Sequence, residues 1–423
     1  MWERIWPGWI DRNLSIVLGA RFAMSGARAL TGVVTAIYLS ALGFSGLELG
    51  LLFLCVALAS ALLSTTIGLI SDRTGRRPFL VGVPLLTAVA ALAFALFRNP
   101  AVLFVFASLG SFGRGGGAGG GSVGPYQPAE SAFVGEIVPA WARTVAFGRM
   151  SFCSSLGALG GGLLAGLAQP RPGLDAAGVT AAYRPAFVAT AILAAVAGIA
   201  ALWLRRPVDV HQAPPRRRRG IAWPRRSWPA LWRFWAANGV NGIAIGMFGP
   251  FLSYWLHRRY GVSPGGIGIV FAIANVAALA SALSAAGIAR RLGTIRAIAT
   301  VRILGGLLLV PLALAPTFPI AGALYVLRML TQRVGLPLRQ SLVQDLADPE
   351  ERASLAALSN LPAQGTQAGS QVLAGYLFDE VALALPFEIA AGLQCLNGVL
   401  YGLLFGRFRP PPARTRDTLK DVD

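Results

Sequence analysis

Lysine is nearly missing from this chain: Lys420 is the single one among 37 basic residues, which face 18 acidic ones. Histidine is as scarce. His211 and His257 stand far apart, so neither a histidine metal site nor a histidine acid–base pair is expected. Cys55, Cys153 and Cys395 fall in separate apolar stretches, which excludes a disulfide framework and a cysteine metal site. Charge as a whole is thin. Only 13% of the 423 residues are charged, where a soluble protein carries roughly 25%. The net charge of +19 does not point to nucleic acid, because the arginines stand between apolar runs as loop arginines of a membrane protein do. A nucleotide cofactor is not expected either. The run GRGGGAGGG at 113–121 lies inside an apolar stretch, with no preceding strand, no following acid and no P-loop Lys-Ser/Thr.

What is present is hydrocarbon: 55% of residues are hydrophobic and the mean hydropathy is +0.61. Stretches able to cross about 30 Å of lipid recur from Leu14 to Phe405. They predict spans near 14–40, 46–70, 78–97, 101–136, 143–168 and 184–204. Six more fall near 229–256, 264–289, 297–315, 318–346, 353–378 and 386–406. The run from Leu14 to Leu42 reads as a permanent first helix, since Arg21 and Arg28 interrupt the core a cleaved signal needs.

Arginine placement orients the chain. Arg73, Arg76, Arg77, Arg143, the cluster from Arg205 to Arg226, Arg290, Arg291, Arg296, Arg352 and the tail arginines share one side. The other side receives Arg98, Arg171, Arg184, Arg258 and Arg259. The positive-inside rule then makes both termini and the linker cytoplasmic, in a bacterial inner membrane. Membrane lipids are implied partners, and the basic linker run is a topology anchor with room for an anionic-lipid contact.

An internal repeat fixes the organisation. Gly43, Ser45, Gly50 and Phe53 recur as Gly261, Ser263, Gly268 and Phe271, a shift of 261 − 43 = 218 that also carries Gly75 onto Gly293. Further on, Pro128, Val134, Arg143, Gly160 and Leu164 to Gly166 recur as Pro337, Val343, Arg352, Gly369 and Leu373 to Gly375. That shift is 209, and Glu136 falls on Asp345. Chance similarity of apolar helices would not keep loop residues at fixed spacing. The expected fold is therefore an all-α polytopic membrane protein, twelve transmembrane helices as two parallel six-helix repeats. The repeat divides the chain into an N-terminal bundle at 1–204, a basic linker at 205–228, a C-terminal bundle at 229–406 and a tail at 407–423.

Between the second and third spans stands GLISDRTGRRP, Gly68 to Pro78. Here the chain resembles the major facilitator superfamily, whose signature in that loop is close to G-x-L-A-D-R-x-G-R-R. Gly68, Asp72, Arg73, Gly75, Arg76 and Arg77 match it. The resemblance implies a cytoplasmic latch between the two bundles, carried by Asp72 and Arg76. In the second copy Arg290 stands where Asp72 falls, so the C-terminal half lacks the acidic member. Within the superfamily the chain looks most like bacterial drug-efflux permeases. Arg114 resembles the buried arginine of their fourth helix, and LGALGGGLLAG in the fifth span resembles their glycine-rich motif without its proline. The same glycines also suit plain close packing of helices.

Polar residues within spans are candidates for the transport path, because lipid makes them costly. Arg21 and Arg28, seven apart, share a face of the first helix. Asn238 and Asn241 share a face of the seventh, and Arg328, Gln332 and Arg339 form a stripe on the tenth. Asn360, Gln364, Gln367 and Gln371 run i, i+4, i+7, i+11 on the eleventh, the ladder expected of a helix facing water or substrate, with helix–helix hydrogen bonding as the alternative. Arg149, Arg302 and Arg339 lie close enough to the cytoplasm to snorkel. The third, sixth, ninth and twelfth spans are mostly apolar and should face lipid. Glu130 is the one carboxylate deep in a span and aligns with Arg339 by the shift of 209, which suggests a pair between the halves.

These features predict a monomeric secondary transporter for a small solute, working by alternating access and driven by a gradient, with protons as a candidate coupling ion. The first, fourth, seventh and tenth helices would line the cavity, as the resemblance implies. An interior rich in arginine and poor in carboxylate favours an anionic or neutral polar solute. The rival is a proton-coupled multidrug exporter with Glu130 as proton carrier. An enzyme should show convergent catalytic groups and a receptor an appended soluble domain, and the sequence has neither.

Overall fold

The computed structural model describes residues 11–113, 124–171, 173–205, 225–348, 351, 355 and 358–406. In the N-terminal half these form α1 Arg12–Ala41, α2 Gly46–Thr74, α3 Arg77–Leu96, α4 Pro100–Gly110, α5 Gln127–Ile137, α6 Arg143–Leu164 and α7 Ala176–Leu202. In the C-terminal half they form α8 Trp228–Phe248, α9 Leu252–Tyr260, α10 Pro264–Leu292, α11 Thr294–Leu307, α12 Leu309–Ala313, α13 Phe318–Leu346, α14 Leu361–Glu380 and α15 Leu385–Phe405. Several of the twelve expected spans are interrupted, the eleventh by a turn at Ser359 and Asn360 ahead of α14. The fourth is divided between α4 and α5, since Ser111 and Gly113 turn left-handed and end α4. The seventh bends between α8 and α9 at Pro250, and the ninth between α11 and α12 just before Pro311. Seven described helices are long and apolar enough to cross a membrane by length and composition alone. The breaks and the polar residues of α8, α13 and α14, such as Arg233 and Asn238, Arg328 and Gln332, and Gln364 and Gln367, lower the hydropathy of others.

The two halves pack alike, as the repeat requires. In the first, α1 lies against α6 and α7, and α7 against α3. In the second, α8 lies against α14 and α15, and α15 against α11. Between the halves, α2 meets α14 and α6 meets α10. Small residues allow these crossings. A Cβ on Gly50 would stand 2.6 Å from the Gln371 carbonyl oxygen, and one on Gly162 would stand 2.8 Å from that of Gly268. The glycine-rich sixth helix thus serves packing on two sides, Gly157 and Gly161 against α1 and Gly162 against α10.

These contacts gather at one end of the bundle, where α1 hands over to α2 and α14 to α15, here called the hairpin end. A core of buried aromatics there draws on both halves, including Tyr38, Phe53, Phe94 and Phe187 with Phe251, Trp255, Phe378 and Phe387. Toward the other end, where Arg205 and Arg225 flank the linker, each half keeps a core of its own. One gathers around Met24, Tyr126 and Phe133, the other around Phe234, Val301 and Tyr401. The halves are therefore joined at the hairpin end and parted at the linker end.

Candidate functional site

Two cavities occupy the gap. On the C-terminal wall one of about 430 Å³ is lined by Asn241, Phe248, Arg302, Tyr325, Arg328, Gln332, Arg333, Arg339, Asn360, Gln364 and Gln367, among others. On the N-terminal wall one of about 540 Å³ is lined by Arg28, Ser60, Ser64, Gly124, Gln127, Ser131 and again Gln364 and Gln367. The shared glutamines make them two parts of one chamber. Among the described residues, neither part has a carboxylate in its lining.

Arg328 is the most deeply set of the cations, 1% exposed. Its guanidinium lies over the Phe248 ring, 4.2 Å from the centroid, and Nε donates to the Gly305 carbonyl at 3.2 Å. The ring face attracts the cation, yet Nη2 is buried without a hydrogen-bond partner among the described residues. Arg302 donates through Nη1 to Asn241 Oδ1 at 2.6 Å, and its Nε likewise lacks a partner. Gln394 Nε2 also donates to Asn241 Oδ1, at 3.3 Å, so that one amide oxygen orients two side chains. Both side chains line the chamber, and buried donors left open in this way leave unused hydrogen-bonding capacity in its wall. On the opposite wall Gly124, at φ 105°, passes close to Arg28; a Cβ there would come within 2.9 Å of Nη1.

Arg28, Asn241, Arg328, Gln332, Arg339, Asn360, Gln364 and Gln367 thus line the two cavities. Asn360 precedes α14 rather than lying within it, and still reaches the chamber. Asn238 stands behind the wall: it donates to the Ser359 carbonyl at 2.7 Å and accepts from Arg339 and Tyr401 at 3.3 Å each. Gln371 is fully buried beside Gly50 at the closed end, outside the chamber. Arg114 lies outside the described residues, as do the side chains of Asp72 and Arg73.

Two expectations are corrected. Glu130 does not pair with Arg339 across the halves; it pairs with Arg21 of its own half, buried between α1, α5 and α6. Arg21 also donates to Ser154 Oγ at 2.6 Å and to the Met150 carbonyl at 3.1 Å. Alignment by repeat puts residues at equivalent places, but helical rotation turns this pair inward to its own bundle and neither residue lines the chamber. Arg302 does not snorkel, and its span is not uniformly lipid-facing: rotation of α11 turns Arg302 onto Asn241. The twelfth span likewise turns Gln394 and Asn397 inward, both buried. The sequence missed Arg333 and the serines of the N-terminal wall. Arg333 directly follows Gln332, and that adjacency was the only available signal.

At the latch loop, Gly75 takes φ 87° and ends α2. Arg76 Nη2 meets Glu136 Oε1 at 3.0 Å, and Arg77 donates to the Leu202 carbonyl. Both contacts lie within the N-terminal half, so with the linker end parted Arg76 serves its own bundle. At the hairpin end Asp379 of α14 accepts from the Gly46 backbone N–H at the start of α2. Its Oδ1 accepts from Arg258 at 2.6 Å and Tyr254 at 3.1 Å. A carboxylate of one half therefore caps a helix N-terminus of the other, where the helix dipole favours it.

Comparison with known proteins agrees with this architecture. The family model described as Major Facilitator Superfamily matches residues 17–240 and 234–421. Among curated protein sequences none matches the chain. A bacterial homologue of the human lysosomal transporter Spinster, in an inward-facing and occupied conformation, is similar with TM-score 0.72 and 16% identity, over 95% of this chain and 98% of that one. The nucleoside transporter NupG follows at TM-score 0.70 and 15% identity, over 94% and 99%. An auto-inhibited peptide transporter of the POT family has TM-score 0.72 and 14% identity, over 96% and 99%. At such identities the likeness speaks for the fold alone.

Proposed function

Because the chain belongs to the Major Facilitator Superfamily, a family of membrane transporters, we propose that it is a secondary active transporter of a small organic anion. The observation that carries this reading is the C-terminal wall of the chamber: Arg302, Arg328 and Arg339 line it, and among the described residues no carboxylate does. Confined positive charge needs a counter-charge, and a carboxylate or phosphate can take two N–H donors from one guanidinium. The hydroxyl and amide groups of the other wall suit the polar remainder of such a solute. Arginine placement sets the linker end in the cytoplasm, so the chamber opens inward in this state. No nucleotide-binding motif is available to supply energy, which leaves an ion or solute gradient.

The multidrug-exporter reading has less support, since its proton carrier Glu130 is engaged by Arg21 away from the chamber. Uptake into proteoliposomes distinguishes the two. A panel of carboxylates, phosphate esters and organic cations, with and without an imposed pH gradient, should show saturable flux for anions. Flux confined to cations would refute the proposal.

A further inference from the structure

A second opening lies away from the chamber. A crevice of about 500 Å³ runs between α10, α11 and α13, with Leu292 and Leu304, each 46% exposed, at its edges. Among the described lining residues, Ser281, Ser284, Thr300 and Thr331 carry hydroxyls, and Ile288, Leu292, Val301, Leu304, Leu330 and Val334 are aliphatic. On α10 the lining positions 281, 284, 288 and 292 follow i, i+3, i+7, i+11. Arg291, three residues after Ile288, shares that face at its linker end. On α11, Arg296 stands four residues before Thr300 and eight before Leu304, again on the lining face.

Both arginines are exposed, and among the described residues neither has a carboxylate within ion-pairing distance. Asp345, the acid at the same end of α13, accepts from Ser341 Oγ at 3.4 Å. Among the described residues the crevice thus has two cations without a carboxylate partner at its mouth and mostly aliphatic side chains along its length. Its length is telling. From Ser281 to Leu292 is 292 − 281 = 11 residues, about 16 Å of helix at about 1.5 Å each. One leaflet of a hydrocarbon core about 30 Å thick has about that depth.

We propose that this crevice seats one acyl chain of an anionic phospholipid, with the phosphate held between Arg291 and Arg296. The chain fills space that would leave the walls without contact partners, and the headgroup supplies the charge that the mouth lacks.

Native mass spectrometry of the full-length protein, equilibrated in detergent with equimolar phosphatidylglycerol and phosphatidylcholine, tests this. The first retained lipid should be phosphatidylglycerol by roughly twenty-five-fold, each arginine contributing about a factor of five. An Arg291→Gln/Arg296→Gln variant that elutes as the wild type should lose that preference, while Arg259→Gln at the opposite end should keep it. Thr300→Trp, which fills the crevice from α11, should lower the first adduct of either lipid. A wild type without preference, or a double variant that keeps it, overturns the headgroup site. Undiminished lipid on Thr300→Trp overturns the acyl seat.

Discussion

Arg328 combines features that seldom occur together: near-complete burial, an aromatic ring beneath its face and an open Nη2. A buried guanidinium keeps its charge, so Arg328 puts a positive charge in the wall of the chamber. Arg328→Lys keeps the charge but loses the fork and the flat contact with Phe248. It should raise the apparent KM for the anion by about tenfold, the loss of one charge-assisted hydrogen bond; proteoliposome uptake at matched protein content measures it. Arg21 and Glu130 give a different expectation. Their pair is buried and away from the solute path, so it concerns stability. Glu130→Gln leaves Arg21 buried without its counter-charge and should destabilise the protein by about 3 kcal/mol, whereas Arg21→Met with Glu130→Met should recover most of that. Thermal unfolding in detergent of the single and double variants checks both, and a double variant no better than the single would count against the account.

Among the elements, α2 and α14 meet closely, and glycine is what lets them. The place a Cβ would take at Gly50 is already held by the Gln371 carbonyl oxygen and by Val372 Cα, 2.9 Å away. Both are backbone or near it and cannot swing aside. Gly50→Val should therefore pry the hairpin end apart. In a chain lacking Cys55, Cys153 and Cys395, a cysteine replacing buried Gln371 should be inert to thiol reagents and become reactive once Gly50→Val is added. Gly82→Val on α3, where a Cβ has open space, should leave it inert. The same background separates the rungs of the amide series on α14. Cysteines replacing Gln364 or Gln367, which face the chamber, should react without any further change.

At the scale of the whole molecule, two bundles share one core at the hairpin end and keep two at the linker end. Asp379 is a polar fastener of the closed end, since Gly46 belongs to one bundle and Arg258, Tyr254 and Asp379 to the other. Asp379→Asn removes the charge that the α2 N-terminus and Arg258 both attract. It should shift the population toward the state closed at the linker end. Spin labels at exposed Trp141 and exposed Trp228, which lie on different halves, should then move closer together, and unchanged distances would show that packing alone holds the hairpin end.

Much of this was legible in the sequence because it depends on one-dimensional quantities. Apolar run length determined the spans, arginine placement gave the expected orientation, and the two shifts of 218 and 209 revealed the duplicated bundle. Gln364, Gln367, Arg328, Gln332 and Arg339 could be named as chamber residues because helical periodicity puts them on common faces. Helix rotation and neighbour choice were not legible. Whether Glu130 meets Arg21 or Arg339, and whether Arg302 points to lipid or to Asn241, turns on which faces of separate helices come together. Only tertiary packing decides that. The same holds for the state of the bundle: a sequence with near-equal halves supports closure at either end, and the contacts of Gly50, Gly162 and Asp379 select the hairpin end here.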